Sequence, residues 1–221
     1  MIQLTRPDLL PATINSLHQF QIEVNGQPDY PTCVQFAKTD WEAKKRTVAF
    51  NDVKAKLIQM CSGAERCHYC EDSKADEVEH ILPKAVYPNL CYEWVNYFYS
   101  CGTCNSPKKS QCAVIDPVTF TLIDLTPQSG RTVQQNPTAI GITAIIDPVI
   151  DNPMNYFFLD IKDTFSFSEY PEPNTIEYKR AKYTLEILRL NERVYLNKAR
   201  KKSYEIRKRS MPSTLSKAFT S

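Results

Sequence analysis

The sequence has no run of about 18 apolar residues, the length a helix needs to cross a bilayer, so no membrane partner is expected. It also has no internal repeat and no low-complexity segment. Its hydrophobic fraction of 42% and charged fraction of 24% exclude disordered, collagen-like and membrane classes and little else. The opening stretch "MIQLTRPDLLPATINSL" lacks the basic start and unbroken apolar run of a secretory signal, since Pro7, Asp8 and Pro11 interrupt it. A cytoplasmic location is therefore expected. Histidine is scarce as well: there are three in 221 residues, and two of them, His68 and His80, stand inside one cysteine-rich stretch.

Cysteine, by contrast, is plentiful. Eight could form four disulfides, but that pattern belongs to short secreted domains, and neither the length nor the start of this chain fits one. Clustered thiols in a reducing compartment point to metal instead. The net charge of +2 is unevenly spread: Glu177 to Arg209 holds twelve Lys or Arg against four Glu, which gives that segment +8 and the rest of the chain −6. A basic C-terminal segment is either a solvated helical face or a contact for a polyanion such as nucleic acid.

The chain divides by pattern into four parts. Residues 1–60 read as a helical segment, with "PATINSLHQFQIEV" and "NDVKAKLIQM" spacing apolar residues by three and four, the second opening on Asn51 or Asp52 as N-cap. Residues 61–112 hold seven of the eight cysteines, two histidines and Trp94, and form the chemical unit. Residues 113–175 are rich in Pro, Asp and Asn, with short β-branched and aromatic runs ("IGITAII", "TFSFSEY") that predict short strands and turns. Residues 176–221 turn helical again, with Ala181, Leu185 and Leu188 on one face, then Asn191 as a cap before a basic helix carrying Val194, Leu196, Ala199 and Tyr204.

Cys67-x-x-Cys70 and Cys101-x-x-Cys104 are two thiol pairs of equal gap, separated by 30 residues. Two such knuckles complete a closed four-sulfur Zn²⁺ site, which contributes folding free energy and performs no catalysis itself. A redox dithiol is the alternative, but it needs a strand-to-helix context and no second copy. His68, inside the first knuckle, is expected to point outward. Cys33, Cys61, Cys91 and Cys112 lack partner spacing, and small buried thiols are expected there.

Between the knuckles, "DEVEHIL" alternates as a strand with Val78, His80 and Leu82 on one side and Glu79 and Ile81 on the other, stopped by Pro83. "YEWVNYFYS" predicts a second strand, and "CNSPKKS" a helix starting near Asn105 with Lys108 and Lys109 in its first turn. Strand, loop, strand and helix, stapled at both ends by zinc, is an α+β arrangement.

These residues carry a resemblance. "CHYCED", "VEHILPK" and "WVNYFYSCGTCNSPKK", in this order, resemble the HNH nuclease motif, a zinc-stapled ββα-metal core, and within it the PtuB-type HNH proteins of Septu and retron antiviral systems. The resemblance is specific over residues 67–109 and extends more weakly to the C-terminal "AKYTLEILRLNERVYLNKAR". It implies a metal-dependent endonuclease with His80 as general base, Glu79 and Asn105 as ligands of a catalytic Mg²⁺ or Mn²⁺, Asn96 organising the loop around the histidine, and Lys108 meeting substrate phosphate. It implies DNA or RNA as substrate and a PtuA-type ATPase partner. One departure is the glutamate at position 79, where many HNH proteins have aspartate or histidine.

The residue types suit that chemistry on their own terms. A neutral imidazole, with an ordinary pKa of about 6.5, can take a proton from water near neutral pH. A cation held by carboxylate and amide oxygens stabilises the charge on a leaving oxygen. The competing reading is a non-catalytic zinc-stapled module that binds nucleic acid or a partner, in which Glu79 and His80 are ordinary polar residues.

Overall fold

A computed structural model of the protein describes residues 1–128 and 141–210; Ile140 of the "IGITAII" run and the last eleven residues of the C-terminal segment lie outside the described residues. Helix and strand are mixed throughout. None of the described helices is long and apolar enough to cross a membrane.

Three helices come first: α1 (Pro11–Asn25), α2 (Tyr30–Lys44) and α3 (Val48–Met60). In α1, Pro11 occupies the first turn, where its missing N–H costs nothing, and Thr13, Leu17, Gln21 and Val24 recur at helical spacing to make the buried face. In α2, Asp29 caps the N-terminus by accepting from the Thr32 N–H at 2.8 Å, and Val34, Ala37 and Trp41 face inward. The third helix begins earlier than its sequence suggests, after Thr47. Asp52 is no cap, because its carboxylate accepts instead from the Leu10 N–H at 3.0 Å and ties α3 to the start of α1.

Next comes a two-stranded antiparallel sheet, β1 (Glu77–His80) against β2 (Tyr97–Ser100), followed at once by the short helix α4 (Gly102–Lys108). Register pairs Glu77 with Ser100, Val78 with Tyr99, Glu79 with Phe98 and His80 with Tyr97. Both strands are shorter than their sequence patterns. Past His80 the ladder gives way to bonds with Asn96, and Trp94–Asn96 forms a 3-10 turn rather than strand. α4 starts on Cys101 as N-cap, so Asn105 lies mid-helix, Lys108 in the last turn and Lys109 at its C-terminal end.

The described residues between 113 and 175 include short strands. β3 (Ala113–Ile115) lies between β4 (Leu122–Asp124) and β5 (Ile142–Thr143), and β6 (Phe157–Leu159) pairs with β7 (Phe167–Glu169), each pair antiparallel. The helices α5 (Ile176–Ile187) and α6 (Val194–Ser210) follow. Thr175 caps α5 through the Tyr178 N–H. Asn191 caps nothing: its amide clasps β7, accepting from the Phe167 N–H at 2.8 Å and donating to the Phe167 carbonyl at 2.7 Å, while Val194 is exposed and Leu196 alone of α6 is buried.

One hydrophobic cluster joins the first three helices, the β1–β2 region, β6 and the last two helices, running from Met1 and Leu17 through Trp41, Phe50, Tyr92 and Tyr97 to Leu188 and Leu196, while β3 packs in two smaller clusters. Trp41 is its hub, with ring centroids of Phe50 at 5.0 Å, His80 at 4.3 Å and Tyr97 at 5.6 Å. Helix α2 thereby forms the wall against which the β1–β2 hairpin packs.

Candidate active site and metal centre

The four knuckle cysteines converge. Cys67, Cys70, Cys101 and Cys104 are buried, and their sulfurs lie within 4.8 Å of one another. Sulfurs sharing one Zn²⁺ at about 2.3 Å sit roughly 3.8 Å apart, and Cys70 and Cys101 are at 3.9 Å. All eight cysteines are free thiols, so no disulfide competes for these sulfurs. The local backbone is built for the purpose. The first knuckle turns back at Glu71, which has a φ of 58° and donates its N–H to the Cys67 carbonyl. In the second, the N–H groups of Cys104 and Asn105 bond the Cys101 carbonyl and open α4, placing both sulfurs at a helix N-terminus that favours thiolate. Four thiolates around a dication carry excess negative charge, and Arg193 answers it by donating to the Cys104 sulfur at 3.2 Å. Donor type, number, spacing and charge all fit zinc.

His68 does not point outward. It is buried, and its Nδ1 accepts the Tyr99 N–H at 3.1 Å, which fixes the proton on Nε2, where the Leu57 carbonyl lies at 3.1 Å. The ring thus joins α3 to β2, and burial pulls its pKa down to about 4. Of the unpaired cysteines, Cys91 and Cys112 are buried as expected, whereas Cys33 and Cys61 keep partial exposure.

The hairpin and α4 form one side of a cavity of about 650 Å³ whose other side is α2 and α3. His80, Glu79 and Asn105 all border it. The His80 Nε2 lies 2.9 Å from the Cys91 carbonyl, an acceptor only, so Nε2 carries the proton and Nδ1 holds the free lone pair. Burial, aided by the charges of Lys84 and Lys108, holds the imidazole's pKa well below its ordinary value.

Asn96 borders no part of that cavity. Its side chain accepts from the Leu82 N–H at 2.8 Å and donates to the carbonyls of Leu82 and Leu90, both at 2.9 Å, closing the loop that carries the Cys91 carbonyl to His80.

Lys108 is 0% exposed, so a phosphate contact through it is not available in this arrangement. Its ammonium is ion-paired with Glu79 and donates to the His80 carbonyl at 2.7 Å. Glu79 has a second partner in the Tyr69 hydroxyl, which donates at 2.5 Å. Asn105 does not touch Glu79; it donates its amide to Glu77 at 2.5 Å. Glu77 and Glu79 lie two residues apart on the same face of β1, and both border the cavity with Asn105; the Glu77 carboxylate is exposed, whereas both oxygens of the buried Glu79 are engaged by Lys108 and Tyr69.

Sequence reasoning missed three members of this site. Glu77 was legible in principle, because a period of two puts it beside Glu79. Lys84 closes the quoted "VEHILPK" motif but drew no role, and Trp41 had no local signal: only tertiary packing brings α2 against His80.

No family model matches the chain. Among curated proteins it is 38% identical over 77 residues to Septu protein PtuB of Bacillus thuringiensis, a match covering 33% of this chain and 29% of that protein. It is also 33% identical over 60 residues to Protein ea31 of Escherichia phage lambda, covering 27% of this chain and 20% of that one. The matched stretch is thus less than a third of each relative's length. Over about a third of its own length, this chain is a homologue of Septu protein PtuB.

Proposed function

We propose that this protein is an HNH-type, metal-dependent endonuclease that hydrolyses phosphodiester bonds in DNA or RNA. The observation that carries the reading is the shared cavity: His80, a neutral imidazole whose Nδ1 has no hydrogen-bond partner among the described residues, borders the same space as Glu77, Glu79 and Asn105. In this reading His80 takes the proton of the attacking water at Nδ1 while the Cys91 carbonyl, held by the Asn96-closed loop, keeps the ring's other nitrogen protonated. Asn105 and the exposed Glu77 would hold Mg²⁺ or Mn²⁺, with Glu79 joining them once the cation takes the place of the Tyr69 hydroxyl at its second oxygen, and the metal would supply Lewis-acid stabilisation of charge on the scissile phosphate. Lys108 acts through Glu79, fixing that carboxylate and the His80 carbonyl in place. The zinc centre performs no chemistry and anchors both ends of the hairpin–helix unit.

The homology to a Septu protein supports a role as the effector nuclease of an antiviral defence complex with a PtuA-type ATPase partner, acting in the cytoplasm. Co-purification with such an ATPase as one large complex tests the partnership.

Purified protein incubated in parallel with labelled DNA and total RNA, with added Mg²⁺ or Mn²⁺, tests the activity. Cleavage by the wild type and its loss in His80→Ala, at unchanged zinc content, is the expected result; equal cleavage by His80→Ala rejects the assignment. A second reading is favoured by α6, whose exposed face carries Lys198, Lys201, Lys202, Arg207, Lys208 and Arg209: a zinc-stapled module that binds nucleic acid and breaks no bond. Salt-sensitive binding with no cleavage of any substrate in either metal would select it.

A further inference from the structure

With Lys108 sealed inside the protein, the cavity still holds one cation of unusual placement. Lys84 sits in the turn after β1, which Pro83 opens by accepting the N–H groups of Val86 and Tyr87, both at 2.8 Å. Its side chain borders the cavity, and its ammonium lies 5.2 Å from the centroid of the Trp41 ring, the same ring that packs on His80. Lys84 is only partly exposed, yet among the described residues it has neither an ion pair nor a side-chain hydrogen bond. A half-buried ammonium without an acceptor is costly, and burial accordingly lowers its pKa. The other lysine and arginine side chains on the cavity wall differ: Lys45 is already paired with Glu42 at 2.6 Å, and Arg46, Lys54 and Lys109 are exposed to solvent. Trp41 partly offsets the cost through its ring face but supplies no hydrogen-bond acceptor. A group with acceptor oxygens and negative charge, placed in the cavity beside His80, completes the site.

We propose that Lys84 is the substrate-positioning cation of this cavity, receiving a phosphodiester oxygen of the nucleic acid beside His80, the part expected of Lys108. The proposal rests on the nuclease reading but is separable from it. Binding of a labelled 30-base-pair duplex DNA is measured against salt without added Mg²⁺ or Mn²⁺, for wild type, Lys84→Gln and Lys84→Arg, each checked for zinc content and melting temperature. Removing one phosphate contact lowers the magnitude of the log–log salt slope by about 0.9 and weakens binding several-fold at about 0.15 M salt. Lys84→Gln is expected to show both changes and Lys84→Arg to recover them. A role confined to packing on Trp41 would shift melting and leave the slope alone. An unchanged slope in Lys84→Gln overturns the proposal whether or not the wild type cleaves. A wild type that binds but cuts nothing, with the slope still falling in Lys84→Gln, removes the nuclease reading and keeps the phosphate site. Failure of the wild type to bind this DNA overturns the proposal.

Discussion

Glu79 and Lys108 show how much a single pairing can decide. The two groups are almost wholly buried, and each satisfies the other along with Tyr69 and the His80 carbonyl. Breaking a buried pair by removing one charge strands the other, at about 3–5 kcal/mol. Glu79→Gln should therefore lower stability by about that amount in chemical denaturation, and adding Lys108→Met should restore a large part of it. If Glu79→Gln melted like the wild type, Lys108 would have to be solvated and the ion pair absent. Glu77→Gln is the informative contrast. That carboxylate is exposed, so its loss should change stability by no more than about 0.5 kcal/mol. Under the proposed chemistry it should nevertheless cut the cleavage rate about tenfold or more and raise the Mg²⁺ concentration needed for half-maximal rate. Normal metal dependence in Glu77→Gln would leave Glu79 and Asn105 to hold the cation without it.

Elements in this fold owe their places to specific locks. The hairpin and α4 are locked by the four cysteines, so Cys101→Ser or Cys104→Ser should lose zinc on elemental analysis and, with it, cooperative unfolding of the β1–β2 unit. A second lock joins α5 to the turn before β6: Arg180 forks onto Asp151 at 2.6 and 2.8 Å, and the Tyr156 hydroxyl bonds the same carboxylate at 3.0 Å. Burial raises the Asp151 pKa, but the Arg180 hydrogen bonds and charge outweigh it, and the net shift is downward. A carboxylate whose folded pKa is depressed contributes stability that is complete above its unfolded pKa of about 3.9 and is lost as pH falls through the folded value. Asp151→Asn should thus cost about 2–3 kcal/mol at neutral pH, near the lower end for a buried pair because both ends keep some solvent contact. The melting-temperature gap between variant and wild type should narrow once pH falls below about 4 and close only when pH drops below the depressed folded value, where the wild-type lock releases too. A gap that stayed constant from pH 7 to pH 2 would show that packing, not charge, holds the turn.

At the scale of the whole molecule, local chemistry was legible in the sequence and tertiary partnership was not. Equal Cys-x-x-Cys gaps announce a metal frame because sulfur geometry around zinc is fixed by spacing alone. The strand character of 77–80 followed from alternation, that of 97–100 from its aromatic residues, and α1 and α5 from helical periodicity. Three readings failed for a common reason. Asp52 and Asn191 look like caps and Lys108 like a surface cation, yet each side chain is claimed by a distant partner: Leu10, Phe167 and Glu79. The same long-range logic bears on residues 1–60. Trp41, Phe50, Val53 and Leu57 from the first helices share one cluster with Tyr92, Tyr97 and Phe98 of the hairpin region. Fully burying one large apolar side chain stabilises by about 1.5–3 kcal/mol, and a whole domain is stable by only about 5–15 kcal/mol. Exposing several of these faces at once exceeds what remains, even with zinc bound. A fragment of residues 61–210 is therefore expected to bind zinc at its knuckles yet lack dispersed amide NMR resonances and a cooperative melt. A fragment that folded cooperatively, and still cut nucleic acid, would show that α2 and its Trp41 wall are dispensable to the site.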